Sequence, residues 1–240
     1  MIGVIGGMGP LATVDFLTKV IEEAGADDDA DHVPMLISCD PRIPKRPAAI
    51  LDGGASPFPV LRQIRDRLLA GGATALVMPC NTAHYWYEEL AADSPVPFLS
   101  IVEAGCDAAR HVTPAGGAIA IAATRATLAA RVFDTPLVRR GLIPLVPTDA
   151  ELDEWLLPAI AAVKAGQLSL GGELLEGALC AFADRGVARV LLACTELPIA
   201  LAATDGALSG SCIDPSRALA RATVLHWRGS LRDAAGPRSG

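Results

Sequence analysis

The sequence predicts an α/β protein: two similar domains, each with a parallel sheet flanked by helices, related by a pseudo-twofold axis with a shared cleft between them. Three observations predict this. Short apolar runs alternate with longer amphipathic ones. Two separate segments repeat at nearly the same offset. Each copy of one repeat ends its apolar run in a cysteine followed by small polar residues.

The elements follow in order. Residues 2–5 open the chain as a strand. Pro10 begins the next periodic run, a helix over 10–24, at the first helical position, where its missing N–H does no harm. The acidic run DDDAD at 27–31 reads as a solvated loop before a strand at 34–38. A helix at 57–71 is closed by Gly72, and strands are expected at 75–78 and 97–101. The second half keeps the rhythm, with a helix at 103–112, strand at 118–122, helix at 125–140 and strand at 142–146. Helices at 150–165 and 169–185, the latter closed by Gly186, lead to a strand at 189–193 and a last helix at 215–228. The tail GSLRDAAGPRSG has loop composition and is expected to fray.

Placing Cys80 over Cys194, an offset of 114, puts Gly72 on Gly186 and Val77 on Leu191. Placing Phe16 over Phe133, an offset of 117, puts Leu11 on Leu128 and Ile2 on Ile119. Together these favour an internal duplication. The expected division is 1–97 with 212–240 as the first domain and 98–211 as the second. Each cysteine then closes an equivalent strand, and ligands of open α/β sheets bind beyond such strand ends.

Composition removes several function classes. Hydrophobic residues are 51% of the 240 and charged residues 20%, so a sizeable core is expected. With a net charge of −7 and no basic stripe, no nucleic-acid partner is expected. No apolar run is long enough to span a membrane. The Gly-rich N-terminus lacks a basic leader and reads as a strand and turn, so a cytoplasmic protein is expected. The six cysteines form no CxxC pair and no zinc spacing, so neither a metal site nor a disulfide framework is expected. Gly7-x-Gly9-x-x-Ala12, with Asp40 as acidic partner, matches a dinucleotide fingerprint loosely. A tight strand-to-helix turn explains it as well, and no cofactor is expected.

The stretch ALVMPCNTAHYW sets Cys80 at the end of an apolar run with Asn81 and Thr82 behind it. RVLLACTELPIA does the same for Cys194 with Thr195 and Glu196. Hydroxyl and amide groups at a helix start can hold a carboxylate and favour a nearby thiolate. A modest electropositive push would make such a thiol a base near neutral pH. Two thiols on opposite faces of one carbon remove a proton on one side and return one on the other, which inverts a stereocentre. His84, four residues after Cys80, lacks an orienting third group for acyl transfer, and a supporting role is expected.

The segments GVIGGMGPLAT, MPCNTAH and ACTELPIAL resemble the signature segments of the aspartate/glutamate racemase family, from Ile2 to about Trp227. The resemblance implies a cofactor-independent racemase of acidic amino acids, aspartate foremost and glutamate next, working as a homodimer. It implies Cys80 and Cys194 as the acid/base thiols. It further implies that Asn81, Thr82, Thr195 and Thr124 of TRAT bind the α-carboxylate. Met8 and Glu196 fall in the signature segments and join the expected substrate-binding set. DPRIPKRPAAI places Arg46, and AVKAG places Lys164, at the distal carboxylate. Pro47 stands where the family usually has threonine, a departure in the substrate pocket. Rival readings are a racemase of broader specificity, an isomerase or decarboxylase on the same scaffold, a two-lobed small-acid binding protein, and a redox pair of cysteines. Decarboxylases of this type resemble racemases that have lost one cysteine, and both are present here.

Overall fold

The computed structural model describes residues 1–235. The first half comprises β1 (Ile2–Gly6), α1 (Pro10–Ala24), β2 (Met35–Cys39), α2 (Arg46–Leu51), α3 (Phe58–Ala70), β3 (Ala75–Val77), α4 (Tyr87–Ala92) and β4 (Phe98–Leu99). The second comprises α5 (Ile101–Val112), β5 (Ala118–Ala122), α6 (Arg125–Ala130), α7 (Asp134–Arg139), β6 (Ile143–Leu145), α8 (Leu157–Lys164), α9 (Leu168–Asp184), β7 (Val190–Leu192), α10 (Leu197–Ala202) and β8 (Cys212–Ile213). The last helix is α11 (Pro215–Ala235).

All strand pairings are parallel. The sheets run β2-β1-β3-β4 and β6-β5-β7-β8, the same order twice, as the duplication requires. The central strands β1, β3 and β7 are buried throughout, which is why they read as continuous apolar runs with no alternation. β4 pairs within the first sheet and β8 within the second, so the chain crosses between sheets a few residues later than the 97/98 and 211/212 points.

Three apolar clusters hold the molecule. One joins the halves, setting Val4, Phe16 and Val77 with Ile121, Phe133 and Leu191, under α5 and α11. The others lie on the outer side of each half, around Ile64, Leu76 and Met78 in the first and Leu156, Leu179 and Leu192 in the second. α11 returns to the first half, where Arg217 and Arg221 pair with Glu22 and Glu23 of α1. The buried ammonium of Lys19 sits between Asp15 (2.5 Å) of its own helix and Asp214 (2.7 Å) beyond β8, a second tie across the halves.

Several expectations are corrected. The helix expected at 125–140 breaks at Arg131, whose φ of 53° is left-handed, leaving α6 and α7. The segment expected to begin at 150 starts as a π-helix over Glu151–Leu156, where Thr148 and Glu151 cap one another. The tail expected to fray from Gly229 continues α11 to Ala235, and 236–240 lie outside the described residues. The acidic run at 27–31 is exposed as expected, around a short 3₁₀ turn. Gly72 and Gly186 close α3 and α9 with φ of 90° and 76°, a conformation glycine takes without penalty. Among the described residues no helix is long and apolar enough to cross a membrane.

Candidate active site

Each thiol stands at the rim of its own half. β3 runs buried into Met78 and Pro79, where the chain bends so that the Cys80 N–H donates to the Met78 carbonyl at 2.8 Å. A 3₁₀ turn, Thr82–Trp86, follows. In the second half β7 ends at Leu192, and Cys194 and Thr195 precede Glu196 at the N-cap of α10. Cys80 packs in the first half's outer cluster and Cys194 in the second half's.

The two thiols line one cavity of about 30 Å³. Met8, Arg46, Asn81 and Thr82 reach it from the first half; Thr124, Lys164, Thr195 and Glu196 reach it from the second, and Pro47 completes the lining. The two expected acid/base thiols and all eight expected substrate-binding residues are therefore brought to one place, while His84 and Asp40 lie outside the lining. The junction is built by α2 and the 3₁₀ turn of the first half packing on α6 of the second.

Its polar groups are only partly satisfied. Both side-chain polar atoms of Asn81 and the Nε of Arg46 are buried with no partner in the protein. An unmet buried group costs about 1–3 kcal/mol, so three at one cavity mark a place built for a polar ligand. The Arg46 guanidinium is held by its Nη1, which donates to the Ile43 and Pro44 carbonyls at 3.2 and 3.1 Å. Thr82 and Thr127 share a hydroxyl hydrogen bond of 2.7 Å across the halves, and Thr124 shares one of 3.0 Å with Thr127. Thr127 is buried and did not stand out in the sequence, where a threonine inside a helical run carries no signal. Its place three residues after the capping Thr124 is the clue that was present.

The thiols differ in their surroundings. Both are buried, and burial pushes both upward in pKa, against the expected lowering, because a thiolate there loses its water. For Cys80 this is partly offset by the Arg46 charge and a hydrogen bond from the Ala83 backbone. For Cys194, driven well above the usual range, Glu196 adds to the rise: the thiol donates to Glu196 Oε2 at 3.0 Å. The same carboxylate accepts from Thr195 (3.4 Å) and lies 3.9 Å from the Lys164 ammonium.

His84 supports the site from behind. The Ile101 N–H donates to its Nε2 at 3.1 Å, so Nδ1 carries the proton and donates to the Cys80 carbonyl at 2.9 Å. Burial lowers its pKa to about 4, and the ring is neutral.

Asp40, the acidic partner of the glycine fingerprint, is already engaged. It accepts from the Arg42 backbone N–H and guanidinium, which hold its carboxyl at about 2. Gly7, with φ of 95°, lays the turn directly on the Asp40 backbone. The glycines thus serve the strand-to-helix turn. Among the described residues no three His, Cys, Asp or Glu side chains gather in a metal-holding group.

The architecture has known counterparts. The chain is similar to an aspartate racemase of Picrophilus torridus, with a TM-score of 0.82 and 27% identity over 95% of this chain and 94% of that one. It shares its fold with a glutamate racemase of Francisella tularensis solved with D-glutamate, with a TM-score of 0.67 and 16% identity over 96% of this chain and 81% of the other. A broad specificity amino-acid racemase, RacX of Bacillus subtilis, is 30% identical over 93% of this chain and 96% of its own length. The family model described as Asp/Glu/hydantoin racemase matches residues 5–223, and the chain belongs to that family of enzymes.

Proposed function

We propose that the protein racemises an acidic amino acid, aspartate foremost and glutamate next, by a two-base mechanism that needs no cofactor. The observation that carries this reading is the pairing of Cys80 and Cys194 on one cavity where the Asn81 amide and the Arg46 Nε are buried without partners. Asn81, Thr82, Thr124 and Thr195 receive the α-carboxylate, with Thr127 fixing the two hydroxyls it touches. Arg46 and Lys164 meet the distal carboxylate, and Met8 walls the slot.

Charge placement sets which thiol ionises first. Burial keeps both protonated at rest, but Cys80 is drawn back by the Arg46 charge, whereas Cys194 donates to Glu196, whose charge opposes its ionisation. The substrate's ammonium adds positive charge to the slot and draws a buried thiol back toward ionisation. Cys80 takes the α-proton from one face while Cys194 delivers its own to the other. The carbanion between them spreads its charge onto the carboxylate, where prepositioned donors stabilise it most. The thiols then hold exchanged roles, ready for the mirror-image substrate.

Single enantiomers of aspartate incubated in D2O test this. Solvent deuterium is expected at the α-carbon, with the opposite hand growing to equality. Cys80→Ser and Cys194→Ser are each expected to lose racemisation by roughly 10³-fold, the scale of a general acid or base. Absence of exchange with both aspartate and glutamate overturns the proposal.

A further inference from the structure

A larger cavity, about 630 Å³, lies beside the thiol slot and shares Arg46, Pro47, Lys164 and Glu196 with it. Its volume is that of an ordinary small-molecule site, far beyond what an aspartate side chain fills. Its further walls are apolar, including Pro10, Leu11, Ile43 and Val163. Its charged lining is Lys45, Arg46 and Lys164 against the single carboxylate of Glu196. Lys164 stands 3.9 Å from Glu196, while Lys45 has no carboxylate in ion-pair range among the described residues. Pro47, at the shared ring, offers neither an N–H nor a polar side chain to stop a short carboxylate there.

We propose that this cavity extends the side-chain subsite, so that the enzyme also takes α-amino dicarboxylic acids longer than glutamate beside aspartate and glutamate. Methylenes lie along Leu11, Ile43 and Val163, and the distal carboxylate reaches Lys45 beside Arg46. This rests on the two-thiol reading above and names its substrate class. A purely apolar side chain of the same length would leave the cations unused.

The test measures kcat/KM for aspartate, glutamate, 2-aminoadipate and norleucine, with α-deuterium exchange recorded for each. 2-Aminoadipate is expected to be turned over beside aspartate and to exceed norleucine by roughly tenfold or more, the worth of one charge-assisted hydrogen bond. Leu11→Trp, which fills the cavity, is expected to lower 2-aminoadipate turnover at least tenfold more than aspartate turnover. Lys45→Glu is expected to raise the KM for 2-aminoadipate more than that for aspartate. Turnover of aspartate with none of 2-aminoadipate overturns the subsite and makes the cavity an entrance. Equal turnover of norleucine and 2-aminoadipate overturns the charge selection. Absence of exchange with every compound overturns the two-thiol reading itself, and the subsite with it.

Discussion

Mild acid should destabilise the fold through His84. The ring is neutral and buried, joining the Cys80 carbonyl to the Ile101 N–H at the start of α5. Its folded pKa is about 4 against an ordinary value of 6.5. The unfolded chain therefore binds a proton first as pH falls, and stability is full above 6.5 and declines toward 4. The shift corresponds to about 2 kcal/mol lost at pH 5 and about 3 at pH 4. For a chain of this size 2 kcal/mol is about 4–8 °C in Tm. Asp40, Glu23 and Glu151, all lowered, begin to add acid sensitivity as pH falls to the ordinary carboxylate values of 4.5 and 3.8, at and below the lower edge of this window. Asp15, raised by burial, acts in the opposite sense, since the folded state takes its proton more readily. Thermal melts by circular dichroism between pH 7 and 4.5, on the native chain and His84→Gln, measure the effect. The variant should be less stable at pH 7 but without the His84 step. A flat native profile, or an equal drop in the variant, refutes the assignment.

Two further predictions follow from the site. Gly7→Ala should cost roughly 2–4 kcal/mol in urea unfolding, because φ is 95° and the new Cβ would stand 2.4 Å from the Asp40 carbonyl oxygen. An unchanged midpoint would show that the turn is not held as described. Glu196→Gln removes the charge that helps keep Cys194 protonated, so thiolate ultraviolet absorbance should appear at lower pH than in the native protein. A titration that does not move would dismiss Glu196 as the holder of that proton.

Much of the fold was legible because buried parallel strands and amphipathic helices leave different periods in the sequence. Pro10 and Ala24 bound α1 where the pattern placed them, and Ala118 and Ala122 bound β5. β8 was missed because two residues, Cys212 and Ile213, make no apolar run. The break at Arg131 was missed because no glycine or proline marks it; an arginine takes the left-handed position instead. α2 escaped because Arg46 and Pro47 open a run of only six residues. The lining of the thiol slot was legible through motif resemblance, whereas its ionisation was not. Burial that raises a thiol comes from both halves together, and neighbours in sequence do not report it.

The row of hydroxyls from Thr82 through Thr127 to Thr124 has a property that a row of charges or amides would lack. In both of its bonds either oxygen can be the donor, so the row can reverse its sense by swinging hydrogens alone, with every heavier atom at rest. A catalyst whose two reactants are each other's reflections must favour neither, and such indifference costs no rearrangement when it is written into the floor on which both would stand.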